Sequence, residues 1–170
     1  ITFESFERYR AAGINLALGT DTYPQDLISE MRLAALMCRM ADGSFRVGQS
    51  RDVFDAATLG GARHLGRDDL GRLAPGAKAD IIVVDLRQVH YGAVHDPIKS
   101  LVECGTGRDV ETVIVDGETL LEGGKATRLD EPALLAAVQA EGERLWHAVP
   151  DWHWSGKPLD EIAPPSYPVR

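Results

Sequence analysis

The hydrophobic pattern of the chain changes character twice. Phe3 to Ala12 has the spacing of a short helix, with Thr2 as its cap and Gly13 just past its end. Ile14-Asn15-Leu16-Ala17-Leu18 is a short apolar run that stops at Gly19. A helix, a glycine and an apolar run in that order predict one step of a parallel sheet, whose strands are buried on both faces. Leu27, Met31, Ala34, Ala35 and Cys38 then recur at helical spacing and predict a helix over Leu27 to Met40. Ser50 is placed to cap a helix through Ala57, and Thr58 a short one through His64.

After Leu65 the period becomes that of β structure. A turn-rich stretch, Leu70 to Gly76, leads into the β-branched run Ala79 to Leu86, and Val110 to Val115 is a second such run. Asp116-Gly117 separates it from Glu118-Thr119-Leu120-Leu121, the signature of a two-residue type I′ hairpin, in which both central residues need positive φ. Asp130, Glu131 and Pro132 open the longest predicted helix, to about Ala148, with Leu134, Val138, Leu145 and Val149 facing one way and acids at the positive end of its dipole. Beyond it, Pro150, Pro158, Pro164, Pro165 and Pro168 argue against regular structure. Trp152, His153, Trp154 and Tyr167 suggest an extended tail pinned by its rings, against missing parts of the fold or a second subunit, or a platform for a partner.

At 170 residues the chain can hold one modest domain or two small modules. A net charge of -8 argues against nucleic-acid binding, which relies on cationic side chains. No apolar run approaches the ~18 residues of a membrane span, and the opening ITFESFERYR lacks the basic start and apolar core of a signal peptide. Cys38 and Cys104 stand in no metal or redox spacing and are expected to be buried or half-buried free thiols, which fits a cytoplasmic protein. The chain opens on Ile1 and drops at once into what reads as the middle of a fold, so a fragment is expected.

Candidate chemistry centres on Asp21, in Leu18-Gly19-Thr20-Asp21-Thr22. A carboxylate at the C-terminal end of a parallel strand can ligate a metal or take a proton from a metal-bound water. It can equally cap the next helix or close a turn. Tyr23 and Asp26 follow closely and could touch substrate; otherwise Asp26 is an acid in the first turn of the helix from Leu27. His90 and His95 are five apart across a glycine-containing loop, where loop packing is expected and a metal pair is the alternative. His64 falls at a helix end, and Gly60-Gly61 and Gly123-Gly124, in no phosphate-binding pattern, read as turns.

Several of these stretches resemble the amidohydrolase superfamily, in particular its cytosine deaminase-like and chlorohydrolase-like branch. INLALGTDT (Ile14 to Thr22) resembles the eighth barrel strand, and DVFDAATLGGARHLG (Asp52 to Gly66) the helix after the barrel. LGRLAPGAKADIIVVDL (Leu70 to Leu86) is similar to the entry into the small β-sandwich, and VETVIVDG (Val110 to Gly117) to its next strand and turn. The resemblance implies an α/β plus β architecture: the last β/α unit of a (β/α)8 TIM-like barrel over 1–66, part of a composite, urease-like β-sandwich over 67–130, and a C-terminal helix with an extended tail over 131–170. It implies that Asp21 is both a ligand to a divalent metal, zinc or iron, and a proton shuttle, with Tyr23 near the substrate. The parent reaction would be hydrolysis of a non-peptide C–N bond in a small cyclic amine or amide, of the deaminase type.

The departures matter as much. The family's metal site also needs a His-x-His pair and further histidines from earlier strands, and this chain has no His-x-His; all five of its histidines follow the eighth strand. A full barrel takes ~250 residues. The metal site is therefore expected to be incomplete and the chain inactive alone, its apolar faces covered by the missing N-terminal barrel part or by a homo-oligomer partner. A non-catalytic binding module and one subunit of a split hydrolase are the alternatives.

Overall fold

A computed structural model describes residues 4–167, which form two units, one ending at Thr127 and the other beginning at Arg128. In the first, helices α1 (Phe6–Ala11), α2 (Leu27–Asp42), α3 (Ser50–Asp55), α4 (Gly61–His64) and α5 (Pro97–Cys104) accompany a four-stranded antiparallel sheet. Its strands β1 (Ile81–Val84), β2 (Val110–Val115), β3 (Glu118–Glu122) and β4 (Lys125–Ala126) lie in chain order.

The core sits where α2, α3 and α5 meet. Ile28, Met31, Ala35, Val53, Leu101 and Val102 are buried together, and Phe6, Leu18, Phe54, Val84, Leu86 and Val110 pack around them. One face of α2 supplies the buried stripe Ile28-Met31-Ala35-Cys38; Met31, Ala35 and Cys38 were read from the helical spacing, while Ile28 takes the place expected for Leu27, which with Ala34 is half-buried. Arg32 fastens α2 to the end of α5 by donating to the Val102 carbonyl (3.2 Å) and the Gly105 carbonyl. Arg39 does the same further along, pairing with Glu103 at 2.8 Å and donating to the Gly48 carbonyl at 3.1 Å.

The sheet follows from local chemistry. β1 pairs with β2 (Ile81 opposite Ile114, Ile82 opposite Val113), with an irregularity between Val83 and Val84. Asp116 (φ 49°) and Gly117 (φ 84°) make the predicted tight turn into β3. The turn is tied to the entry of β1: Asp116 N donates to Asp80 Oδ1 (2.7 Å), Gly117 N to the Ala79 carbonyl (3.0 Å), and Lys78 Nζ to Asp116 Oδ1 (2.8 Å).

Several expectations need correction. Thr2 and Phe3 lie outside the described residues; within them α1 begins at Phe6 and is capped by Ser5, whose hydroxyl accepts from Glu7 N. Ile14 to Leu18, expected as a buried strand, has no regular secondary structure and pairs with no strand among the described residues, and Ile14 is 53% exposed. A parallel strand is bonded and covered by neighbours on both sides, whereas this segment is held by Ile14 N to the Tyr9 carbonyl (3.0 Å), Leu18 N to the Ala56 carbonyl (3.2 Å) and Asn15 Nδ2 to the Gly60 carbonyl (3.0 Å), all on helical elements or their ends. The two helices expected between Ser50 and His64 are one continuous run. α3 passes through a π turn (Ala56–Gly60) into α4 without leaving helical backbone. Thr58 does not cap; its hydroxyl donates back to the Phe54 carbonyl at 2.8 Å. Gly60-Gly61 is therefore helix, whereas Gly123 and Gly124 do form a turn, both at positive φ. Cys38 is buried, but Cys104 is exposed.

The second unit holds α6 (Glu131–His147), α7 (Val149–Trp152) and α8 (Leu159–Ile162). Asp130 caps α6 by accepting from Ala133 N. The apolar face read from the sequence exists but is open: Leu134, Val138 and Leu145 are each about half exposed, and of that set only Val149 is buried. The tail is not extended throughout. Pro150 sits in the first turn of α7 and Pro158 at the N-cap of α8, positions where a missing N–H costs nothing. Trp152, Trp154 and Tyr167, expected to pin it, are exposed.

Candidate active site

The Ile14–Thr20 segment delivers Asp21 to a loop in front of α2. Asp21 adopts φ 54°, a left-handed conformation that costs most residues about 1–2 kcal/mol and that Asp tolerates better than most. Its carboxylate is exposed and has no hydrogen-bond or ion-pair partner among the described residues, so it is free to take a ligand. It does not cap α2. Tyr23, two residues on, is 90% exposed in the same loop.

Asp26 is the cap. Its Oδ1 accepts from Ile28 N (3.0 Å) and Ser29 N (3.2 Å), while Oδ2 accepts from Ser29 Oγ (2.6 Å) and from Gly107 N (3.0 Å). Burial pushes this carboxyl up, but the Ser29 hydroxyl and the amides of Gly107, Ser29 and Ile28 together outweigh it and hold the group below its ordinary value. The sequence reading of Asp26 as a first-turn acid missed both roles.

Behind Gly107 lies a polar cluster that the sequence reading also missed. Asp109 Oδ2 receives Thr106 N (2.8 Å) and the Tyr91 hydroxyl (2.8 Å), and His90 Nε2 lies 3.2 Å away, placed to donate. His90 thus serves loop packing, as expected. Thr106 and Asp109 form a reciprocal capping box around the short 3-10 turn Gly107–Asp109. The spacing Thr106-x-x-Asp109 was the available signal for it. Burial raises the Asp109 carboxyl, but the Thr106 amide, the Tyr91 hydroxyl and His90 reverse this and leave it below the usual carboxylate range. Burial, with the Asp109 hydrogen bond added, drives the Tyr91 phenol well above its ordinary value.

A depressed folded-state value sets the sign of a pH effect. Asp109 contributes stability that is complete above the unfolded value of about 3.9 and is lost as pH falls through the lower folded value. Urea midpoints followed from pH 7 down through that range should fall more steeply for the native chain than for the variant Asp109→Asn. Equal slopes would mean that the cluster contributes nothing to acid sensitivity.

A zinc site of the catalytic kind takes three protein ligands and an open position. Among the described residues no three His, Cys, Asp or Glu side chains gather into such a group. An unpartnered carboxylate such as Asp21 has the chemistry of a single metal ligand, and no second or third such group stands with it among these residues.

The sequence model of the amidohydrolase family matches residues 2–120. The chain is 38% identical over 138 residues to a 5-methylthioadenosine/S-adenosylhomocysteine deaminase of Pelotomaculum thermopropionicum, covering 79% of this chain and 32% of that protein. To a 5'-deoxyadenosine deaminase of Methanosarcina acetivorans it is 35% identical over 137 residues, with 78% and 32% covered. Among solved structures, a zinc-bound adenosine deaminase from Xanthomonas campestris superposes with TM-score 0.76 at 29% identity, over 79% of this chain and 32% of that one. A zinc complex of atrazine chlorohydrolase from Arthrobacter aurescens gives TM-score 0.71 at 33% identity, with 79% and 31% covered. The chain belongs to the amidohydrolase family. It spans about a third of the length of the relatives it matches.

Proposed function

We propose that this chain supplies the last β/α unit and part of the β-sandwich of a zinc-dependent deaminase acting on an adenosine-type nucleoside. The observation that carries the proposal is Asp21: a carboxylate with no partner among the described residues, at the end of the Ile14–Thr20 segment and inside residues 2–120, which match the amidohydrolase family model. A divalent metal, when bound, brings the pKa of a water close to neutrality and so supplies a nucleophile. Asp21 provides one oxygen ligand, accepts the proton released as the water oxygen bonds to the ring carbon, and holds it at its carboxylate. As the C–N bond breaks, Asp21 returns that proton to the departing amine nitrogen, which leaves as ammonia. Tyr23 lies at the same rim and would contact the substrate. The remaining metal ligands come from residues outside this chain, in a longer polypeptide or a partner subunit.

Metal analysis coupled to an ammonia-release assay tests this. The 170-residue chain by itself should hold no stoichiometric zinc and release no ammonia from adenosine, 5'-deoxyadenosine or methylthioadenosine. The complete assembly should hold zinc and deaminate at least one of them, and an assembly that deaminates after exhaustive zinc and iron removal would sink the reading.

A further inference from the structure

We propose that Asp26 is the positioning residue for Asp21, and that it acts by tying the Asp21 loop to the Gly107 turn. The inference rests on the metal-ligand reading of Asp21 given above.

The Asp21 side chain makes no hydrogen bond or ion pair among the described residues, so the loop's two ends must place it. Leu18 N, bonded to the Ala56 carbonyl at 3.2 Å, fixes the near end. Asp26 fixes the far end three ways. Its amide donates to the Pro24 carbonyl at 2.9 Å, which closes the loop on itself. Its Oδ1 takes the two amides of the first turn of α2, and this alone satisfies an N-cap. Its Oδ2 does something a cap does not need: it reaches across 81 positions of sequence to Gly107 N.

The anchor at that end is itself held firmly. Gly107 begins the turn that the Thr106–Asp109 capping box closes, and the half-buried Asp109 is bonded by the Tyr91 hydroxyl and lies 3.2 Å from His90 Nε2. The approach is close as well: a Cβ at Gly107 would come within 3.3 Å of Asp26 Cγ and Oδ1. The Asp21 loop is therefore referred to the sheet-bearing segment through one carboxylate oxygen. Groups that orient a metal ligand commonly matter about 10–100-fold in metal affinity or activity, without touching metal or substrate themselves. Misplacement of a reacting group by about 1 Å can cost a similar factor.

The two oxygens can be separated experimentally. In Asp26→Asn the amide oxygen still accepts from Ile28 and Ser29, so the cap survives, but the NH2 group in place of Oδ2 cannot accept from Gly107 N. Gly107→Ala disturbs the same contact from the opposite side. Both variants, with Asp21→Asn beside them, should be made in the metal-loaded holoenzyme, any partner subunit included. Three readouts are needed: zinc affinity by chelator competition, thermal midpoint, and kcat and KM. Asp26→Asn and Gly107→Ala should weaken zinc and lower kcat, each by about 10–100-fold, with the melting temperature and KM close to native.

Native zinc affinity and native kcat in Asp26→Asn, while Asp21→Asn is crippled, would overturn the role of Asp26 and leave that of Asp21 standing. A native-like Asp21→Asn would overturn both. If Asp26→Asn lowers the melting temperature sharply, Gly107→Ala decides, because it keeps every cap donor and acceptor and only presses a methyl on Asp26 Cγ and Oδ1 at 3.3 Å. A Gly107→Ala variant with native zinc affinity would then reduce Asp26 to a helix cap.

Discussion

Asp21→Asn in the complete holoenzyme should lower kcat by about 10³-fold or more while leaving the fold intact. General acid–base catalysis by a placed carboxylate is worth about 10²–10⁴-fold, and the same side chain also holds one metal position. Two features of the structure make the prediction specific. The Asp21 side chain is exposed and has no partner among the described residues, so removing its charge disturbs no hydrogen bond and no core contact. Its φ of 54° is tolerated by Asn as well as by Asp, so the backbone can keep its course. The amide can offer its carbonyl oxygen to a metal but cannot accept and return a proton. Asp21→Asn should therefore keep more of its zinc than Asp21→Ala while being equally slow. Unfolding curves of the 170-residue chain with either substitution should overlay the native curve closely. Native turnover in Asp21→Asn would remove Asp21 from the chemistry. A large stability loss would show instead that its role in this chain is structural.

What the sequence made legible and what it hid separate along a physical line. Features decided by near neighbours were readable. Asp116-Gly117 needs two positive φ values whatever surrounds it, and both are present. The Met31-Ala35-Cys38 stripe of α2 follows from helical period alone. Features decided by distant residues were not. Ile14 to Leu18 has the composition of a buried strand, but composition does not say whether a neighbouring strand is at hand; among the described residues none pairs with it, and it is partly bare. Asp26 was recognised as an acid near a helix start, yet its bond to Gly107 lies 81 positions away and leaves no local trace. The cluster around Asp109 was half legible, since the capping-box spacing is local while the Tyr91 hydroxyl that completes it is not. For the site the limit was stricter: the sequence offers Asp21 as one proposed metal ligand and Tyr23 as a proposed substrate contact, and no further site residue.

Gly60→Ala should be among the most damaging single-methyl additions in the chain, and Gly61→Ala among the most benign. In sequence the two glycines look interchangeable, and both sit in helical backbone, Gly60 at the end of the π turn and Gly61 at the start of α4. Their surroundings differ completely. A Cβ at Gly60 would stand 1.9 Å from the Leu16 carbonyl oxygen and 3.1 Å from its carbon, both backbone atoms with no rotamer to escape into. At Gly61 nothing lies within 4 Å. The close approach at Gly60 is what lets the Ile14–Thr20 segment lie against the helix, where Asn15 Nδ2 donates to the Gly60 carbonyl at 3.0 Å. An added methyl must push the segment away from the helix. That would break the Asn15 bond, strain the Leu18 N to Ala56 contact and shift the loop that carries Asp21. Overpacking of this kind costs about 1–3 kcal/mol and at times more, and a clash with rigid backbone belongs at the upper end. Ala at Gly61, by contrast, gains about 0.5–1 kcal/mol from the higher helix propensity of Ala. Urea unfolding of the two variants should therefore move the midpoint in opposite directions. If both midpoints rose, the Ile14–Thr20 segment would not rest on Gly60, and the placement of Asp21 by the helix behind it would have to be abandoned.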